Sequence, residues 1–242
     1  MINIYKDDFD SKILKKNVFK LLINGTLKDN KSILKKIKEV GADIIFAFVK
    51  YDNRNIRVFE NLGFNLISIR NTYEYQNTVP SKKNNLIKDY RLISYNKNVS
   101  ISGNTIDDFV KILLPTSRYY KDVNISKKSS KEIYFNWINN SFYKNYADSI
   151  FLVEVQNKVA GFISLKLKKS IGYIDLICIL PKYRKMGLGS LLIKESLKFF
   201  KNKKIKEIYV ITEGENLSAN AFYQKNSFII KNVELIYHKH YY

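Results

Sequence analysis

ICILPKYRKMGLGSLLIKESL, residues 177–197, decides how the rest of the chain is read. An apolar run is stopped by Pro181, the pattern Arg184-x-x-Gly187-x-Gly189 follows, and helical spacing of apolar residues takes over. Leu188, Leu191, Leu192 and Phe199 fall on one side of that helix and Ile193, Leu197 and Phe200 on another, so both sides are expected to be covered. A helix that starts at a glycine turn after a strand offers unpaired N–H groups and the positive end of its dipole, which suits a pyrophosphate. Gly187 and Gly189 lack the Cβ that would hinder such an anion and can take positive φ where a concave loop needs it. The plainer alternative is that the two glycines only cap and pack the turn.

Two rival phosphate loops fail on the residues present. A P-loop needs Lys-Ser/Thr after its last glycine, and Gly189 is followed by Ser190-Leu191; a dinucleotide fingerprint needs three glycines and an acidic residue ending the next strand.

Working outward, SIFLVEVQ and KVAGFISLKLK read as a hairpin turning at Asn157, and IGYIDLICIL as a third strand. KEIYVIT reads as a fourth strand, followed by a helix near Ala219 to Lys225 and a last strand, FIIKNVELIYHK. The first part of the chain carries its own helix (SILKKIKEVG), strand (ADIIFAFVK), helix and strand. NTVPSKKNN near Pro80 reads as an exposed loop, and a junction is expected at about 95–100. We divide the chain into residues 1–97, a smaller N-terminal α/β domain, and 98–242, a second domain built around the glycine turn; the fold class is a mixed α/β sheet. DNRNIRVFENLGF aligns with NLSANAFYQKNSF, setting Phe59 opposite Tyr223 and Gly63-Phe64 opposite Ser227-Phe228. The first copy has no glycine-rich loop before it, so it is either a degenerate half of the same unit or a coincidence of two short turns.

Composition excludes several classes. With 45% apolar and 14% aromatic residues the chain is not a disordered one, and 242 residues suit two modest domains. No stretch approaches a membrane span and the N-terminus lacks a signal-peptide core, so a cytoplasmic location without membrane contact is expected. The single cysteine, Cys178, lies in an apolar run and reads as a buried reduced thiol rather than a nucleophile. The net charge of +20 is spread along the chain among many Asn and Ile residues, which reads as solvated surface rather than a nucleic-acid groove; it would help to attract small anions.

The residues flanking the glycine turn, Ile179 to Arg184 before it and Asn216, Ala219, Asn220, Phe222, Tyr223 and Phe228 after it, resemble the two signature segments of the Gcn5-related N-acetyltransferase (GNAT) superfamily. The resemblance covers roughly residues 145–242, and departs from the family only in ending its second segment Ser227-Phe228 where Gly-Phe is usual. It implies acetyl-CoA as co-substrate, with no metal. Ile177, Cys178 and Ile179 would offer backbone groups to pantetheine, Arg184, Lys185, Gly187, Leu188, Gly189 and Ser190 would hold the pyrophosphate, and Asn216, Asn220 and Phe222 the rest. Direct attack of an amine on the thioester needs an oxyanion donor, an acid for the thiolate and an acceptor for the amine's proton. A backbone N–H near Ile177 suits the first role, and Tyr223 matches the family's acid, unless it is one more aromatic core residue. Asp175 shares strand parity with Ile177 and Ile179 and is the base candidate; a solvated edge carboxylate, with the proton lost through water, is the alternative.

RVFENLGFNLISIRNTYEY, SRYYKDVNI, EIYFNWINNSF and AGFISLKL resemble two-domain N-acetyltransferases of dTDP-linked amino-dideoxysugars, the dTDP-fucosamine acetyltransferase type, which serve O-antigen and related surface glycans. That resemblance implies a nucleotide-sugar acceptor bearing a 3- or 4-amino group. Arg118, Tyr119 and Trp137 would line its pocket, with core packing as the alternative for Trp137. A glutamate base proposed for one such enzyme has Ser68 at the matching position, so that role does not transfer. Another small amine or a protein N-terminus remains the alternative acceptor, and a homodimer is an open expectation.

Overall fold

Ile44–Lys50 (IIFAFVK) is buried along almost its whole length, as a strand must be when helices cover both faces of its sheet. In the computed structural model, residues 2–27, 30–77, 87, 89–95 and 101–241 are described; most of the loop expected near Pro80 and the junction expected at 95–100 lies outside them. In chain order the elements are β1 (Ile2–Lys6), α1 (Asp8–Leu14), β2 (Val18–Ile23), α2 (Lys31–Val40), β3 (Ile44–Lys50), α3 (Asn53–Asn61), β4 (Asn65–Tyr75), β5 (Arg91–Ser94), α4 (Gly103–Leu113), α5 (Arg118–Lys121), α6 (Lys127–Tyr143), β6 (Ser149–Val155), β7 (Lys158–Lys168), β8 (Ile171–Ile179), α7 (Leu188–Asn202), β9 (Glu207–Glu213), α8 (Leu217–Lys225) and β10 (Phe228–His240). Among the described residues no helix is long and apolar enough to cross a membrane.

All ten strands form one mixed sheet in the order β1-β2-β3-β10-β4-β9-β8-β7-β6-β5. Period-two alternation sends neighbours to opposite faces. Ile44, Phe46 and Phe48 of β3 join a core with α4 and α6, while Ile45, Ala47 and Val49 pack with α2 and α3. Helices α7 and α8 cover a third cluster built on Ile163, Leu165 and Ile174. The two apolar sides read for α7 are both used: Leu188, Leu192, Ile193 and Phe200 are buried.

The two segments aligned in sequence adopt the same local structure. Asp52 caps α3 by accepting from the N–H groups of Arg54 and Asn55, and Asn216 caps α8 by accepting from Ala219. Each helix ends in a left-handed residue before the next strand, Gly63 at φ 72° and Ser227 at φ 68°. The serine adopts the conformation that the missing glycine would have taken. Around these helices run two equivalent units, β2-α2-β3-α3-β4 and β8-α7-β9-α8-β10, each with a parallel strand pair joined by a helix. Their last strands are exchanged: β10 lies between β3 and β4, and β4 lies between β10 and β9. Arg70 and Glu234 face each other across β4 and β10 and form an ion pair at 2.6 Å. The two parts of the chain are thus interleaved in one sheet, which brings β2 and β4 to the edge of the site.

Candidate active site

Strands β8 and β9 are paired only from Ile171–Ile174 to Glu207–Val210. Beyond that point β9 pairs with β4 alone, through Ile211, Thr212 and Glu213, and β8 with β7 alone, so a gap opens between them. Leu176 N–H donates to Ser164 Oγ at 3.1 Å and Leu180 N–H to Ala160 O at 2.8 Å, both on the β7 side. By alternation the N–H groups of Ile177 and Ile179 face the gap, leaving free donors along a strand edge that a pantetheine chain can pair with.

The gap runs into the glycine turn. Lys185 at φ 62° and Gly187 at φ 80° are both left-handed, which curls the backbone before α7 into a concave nest. No side chain caps α7, and Leu191 is the residue whose N–H closes on Gly187 O, so the first-turn N–H groups are open to an anion. Arg184 Nε donates to Ile179 O at 3.2 Å, tying the turn to β8. Gly189 serves another purpose: a Cβ there would lie 3.0 Å from the Phe222 ring, so its absence lets α8 pack against α7. These residues suit a pyrophosphate-bearing thioester.

The cleft has a volume of 1340 Å³ and is lined by Ile177, Cys178, Ile179, Arg184, Lys185, Gly187, Leu188, Gly189, Ser190, Asn216 and Phe222, together with Tyr223, Asp175, Arg118 and Trp137. Two expected residues are not in it. Asn220 is buried and its amide donates to the carbonyls of Glu213, Gly214 and Asn216 at 3.0, 3.1 and 2.7 Å, while its oxygen accepts from Tyr73 and Asn71. It locks the β9-to-α8 turn rather than touching a ligand. Tyr119 lies behind the wall, its hydroxyl donating to the buried Asp10 at 2.7 Å.

Asp175 is placed differently from what strand parity implies. Ser164 is opposite Leu176 but Leu165 is opposite Ile174, so a β-bulge falls at Asp175 and resets the alternation. Ile177 and Ile179 therefore pack on the α7 side, whereas Asp175 Oδ2 accepts the Trp137 indole N–H at 2.9 Å on the α6 side. Trp137 packs against the core and also lines the cleft. Burial raises the Asp175 carboxyl above its ordinary value, against the pull of Lys166 and the indole bond.

Glu213, at the C-terminal end of β9, was absent from the sequence-based candidates. It lines the same cleft, and burial raises its carboxyl against the opposing charges of Arg118 and Lys121. The signal available in sequence was its position, since ligand-binding residues gather at the carboxyl ends of parallel strands, but KEIYVIT was closed one residue short of it. Tyr223 is buried and its phenol is raised by burial and further by Glu213, so it stays protonated. Burial pushes the Cys178 thiol up to about 12, which leaves it an inert core group.

One further polar cluster lies outside the cleft. Asp122 Oδ2 is 2.6 Å from His238 Nδ1 and 2.8 Å from His240 Nε2, and these are both histidines of the chain. The three groups have the chemistry of metal ligands, yet the hydrogen bonds account for the two contacts to the carboxylate and tie β10 to the segment after α5.

The acetyltransferase (GNAT) family model matches residues 112–228. An uncharacterized N-acetyltransferase of Archaeoglobus fulgidus is 26% identical over 49% of this chain and 82% of its own length. N-alpha-acetyltransferase 30 of Schizosaccharomyces pombe is likewise 26% identical, over 49% of this chain and 83% of its own. Among solved structures, the GCN5-related N-acetyltransferase from Sphaerobacter thermophilus superposes with a TM-score of 0.61 at 8% identity, covering 99% of this chain and 76% of that one, a likeness of fold.

Proposed function

We propose that this chain, whose residues 112–228 match the acetyltransferase (GNAT) family model, is an acetyl-CoA-dependent N-acetyltransferase that acetylates the primary amine of a small acceptor bound at the end of the cleft walled by Lys20, Arg70, Arg118 and Trp137. The observation that carries this reading is the divergence of β8 from β9, with the N–H groups of Ile177 and Ile179 facing a gap that ends on the left-handed turn before α7. Enclosure of the opposite end by β2, β4, α5 and α6 favours a compact acceptor over a peptide laid across the surface.

The thioester supplies an activated acetyl group. The Ile177 N–H lies where it can donate to the carbonyl oxygen as charge develops on it during amine attack. Glu213, a carboxylate raised toward neutrality by burial, accepts the proton that the amine nitrogen loses, directly or through one water. Tyr223, held protonated, donates to the departing sulfur; a phenol whose unperturbed pKa is about 10 can protonate a thiolate. Asp175, bonded to Trp137 and facing Lys166, has an electrostatic and orienting role on the other side of the cleft.

Within the small-amine class, the sequence resemblance favours dTDP-linked 3- or 4-amino-dideoxysugars. The test is incubation with acetyl-CoA and, in separate arms, such sugar nucleotides, simple amino sugars and short peptides with free N-termini, reading thiol release and the gain of one acetyl mass. Turnover confined to the peptides would overturn the small-acceptor reading; turnover of small amines without the sugar nucleotides would remove the dTDP-sugar reading alone.

A further inference from the structure

The end of the cleft lined by Lys20, Arg70, Arg118 and Lys166 is rich in cations, and one of them is held unlike the others. Lys20 is paired with Asp7, Arg70 with Glu234, and the Lys166 ammonium sits 3.0 Å from the centre of the Tyr146 ring. Arg118 is less completely engaged. Its Nη2 donates to the Tyr119 hydroxyl and stands 3.7 Å from Asp10, whereas its Nε is buried with no hydrogen-bond partner among the described residues. Three rings fix the guanidinium instead: its Cζ lies 4.1 Å from the centre of Tyr119, 5.2 Å from Phe48 and 5.4 Å from Phe46. Its counter-ion is a weakened one, because Asp10 already accepts the Tyr119 proton and burial pushes its carboxyl up to about 6. Such a group is costly to leave part-satisfied, and a guanidinium with its plane fixed by rings is organised in advance for a carboxylate or phosphate. Glu213 acts on Arg118 through space and lines the same cleft, so a carboxylate suited to an ammonium and a cation suited to an oxyanion lie in one enclosure.

We propose that Arg118 is a specificity-determining residue that binds a carboxylate or phosphate group carried by the acceptor close to its reacting amine. This rests on the acetyl-transfer reading for its consequence in catalysis, but anion binding can be read without it. The chain's one tryptophan, Trp137, lines the same end and serves as reporter. Protein saturated with coenzyme A, which fills the glycine-turn site, is titrated with inorganic phosphate and with succinate against chloride at equal ionic strength. A saturable fluorescence change is expected for at least one anion, with its midpoint raised about tenfold to a hundredfold in Arg118→Lys, which keeps the charge and loses the fork. No saturable change in the unaltered protein, or equal midpoints in the two proteins, would overturn the proposal.

Matched acceptors give the kinetic arm: an amino acid against its methyl ester, and an amino-sugar phosphate against the free amino sugar. The anionic member of at least one pair should be preferred, with Arg118→Lys eroding that preference about tenfold, mainly through KM. Preference for the carboxylate pair or for the phosphate pair identifies the source of the anion. Equal use of both members in both pairs refutes the assignment, while absence of thiol release from every amine counts against the acetyl-transfer reading and leaves the fluorescence result to decide Arg118.

Discussion

The two β-α-β-α-β units share caps, turns and topology, yet among the described residues it is the second that opens a cleft between its parallel strands. In the second unit the parallel pair β8 and β9 parts after four residues on each strand; in the first, β2 and β3 remain paired over six, Val18–Ile23 with Ile44–Val49. The ends of β2 and β3 are also stitched shut by Asn55, whose oxygen accepts from Leu27 N–H at 2.9 Å and whose amide donates to Gly25 and Lys50 carbonyls at 3.0 Å. Asn220 ties the β9-to-α8 turn to Asn71 and Tyr73 of β4, on the side away from β8, and leaves the gap between β8 and β9 open. Phe59, stacked on Tyr237, occupies the position that Tyr223 holds at the cleft. The same architecture therefore packs as a solid core when its strands stay paired and opens a cleft when they part, with unpaired backbone donors facing it.

Converting the second unit toward the first should remove chemistry before it removes structure. Tyr223→Phe, which copies Phe59, is expected to lower turnover by roughly two to three orders of magnitude with acetyl-CoA affinity within about twofold, as befits loss of a general acid. Steady-state rates alongside calorimetric titration of the co-substrate check this; unchanged turnover would end its assignment as the acid.

The exchanged strand β10 offers a second way to probe the comparison. Burial lowers the His238 pKa to about 4 despite the adjacent Asp122, so the native state resists its protonation. The unfolded chain then binds more protons between pH 4 and 6.5, and stability should fall as pH drops through that window, by on the order of 3 kcal/mol in total. Asp122 acts in the same direction at lower pH: its depressed pKa contributes stability that is present above its ordinary value of 3.8 and is lost as the pH falls below it. Urea midpoints measured across pH 4–7 should show the slope, and His238→Gln should flatten it.

Gly187→Val is expected to weaken acetyl-CoA binding about a hundredfold while the protein remains folded, since a β-branched residue at φ 80° cannot keep the nest open. Circular dichroism together with titration separates the two effects, and unaltered affinity would displace the pyrophosphate from this turn. The reciprocal exchange, Phe59→Tyr, should confer no activity and cost about 1–2 kcal/mol, because it buries a hydroxyl in a fully enclosed apolar site. Chemical denaturation reads that difference, and a gain in turnover would mean that the first unit has a hidden site.

Much of the second unit was legible in the residues. The hairpin β6 and β7, strand β8 ended by Pro181, the helix after the glycines and the last strand all follow from local pattern and turn chemistry, and the structure has each of them within a residue or two. The shape of the glycine turn was legible for the same reason: Arg184 to Ser190 is a contiguous segment whose conformation is set by its own residues. Asn220 and Tyr119 were misread because a polar or aromatic side chain in a motif carries no mark of which way it points. Asp175 was read by parity, and parity fails wherever a bulge inserts a residue.

The sequence by itself determined the class of elements, the strand-turn-helix pattern at the glycines and the alignment that sets Gly63 beside Ser227 and Phe59 beside Tyr223, because each depends on residues close together in the chain. Only the tertiary structure decided that β4 and β10 change places, that β8 parts from β9, and that Lys20, Arg70, Arg118 and Glu213 line one cleft. Those outcomes depend on which distant strands pair and where pairing stops, a competition among non-local contacts that local propensity does not encode.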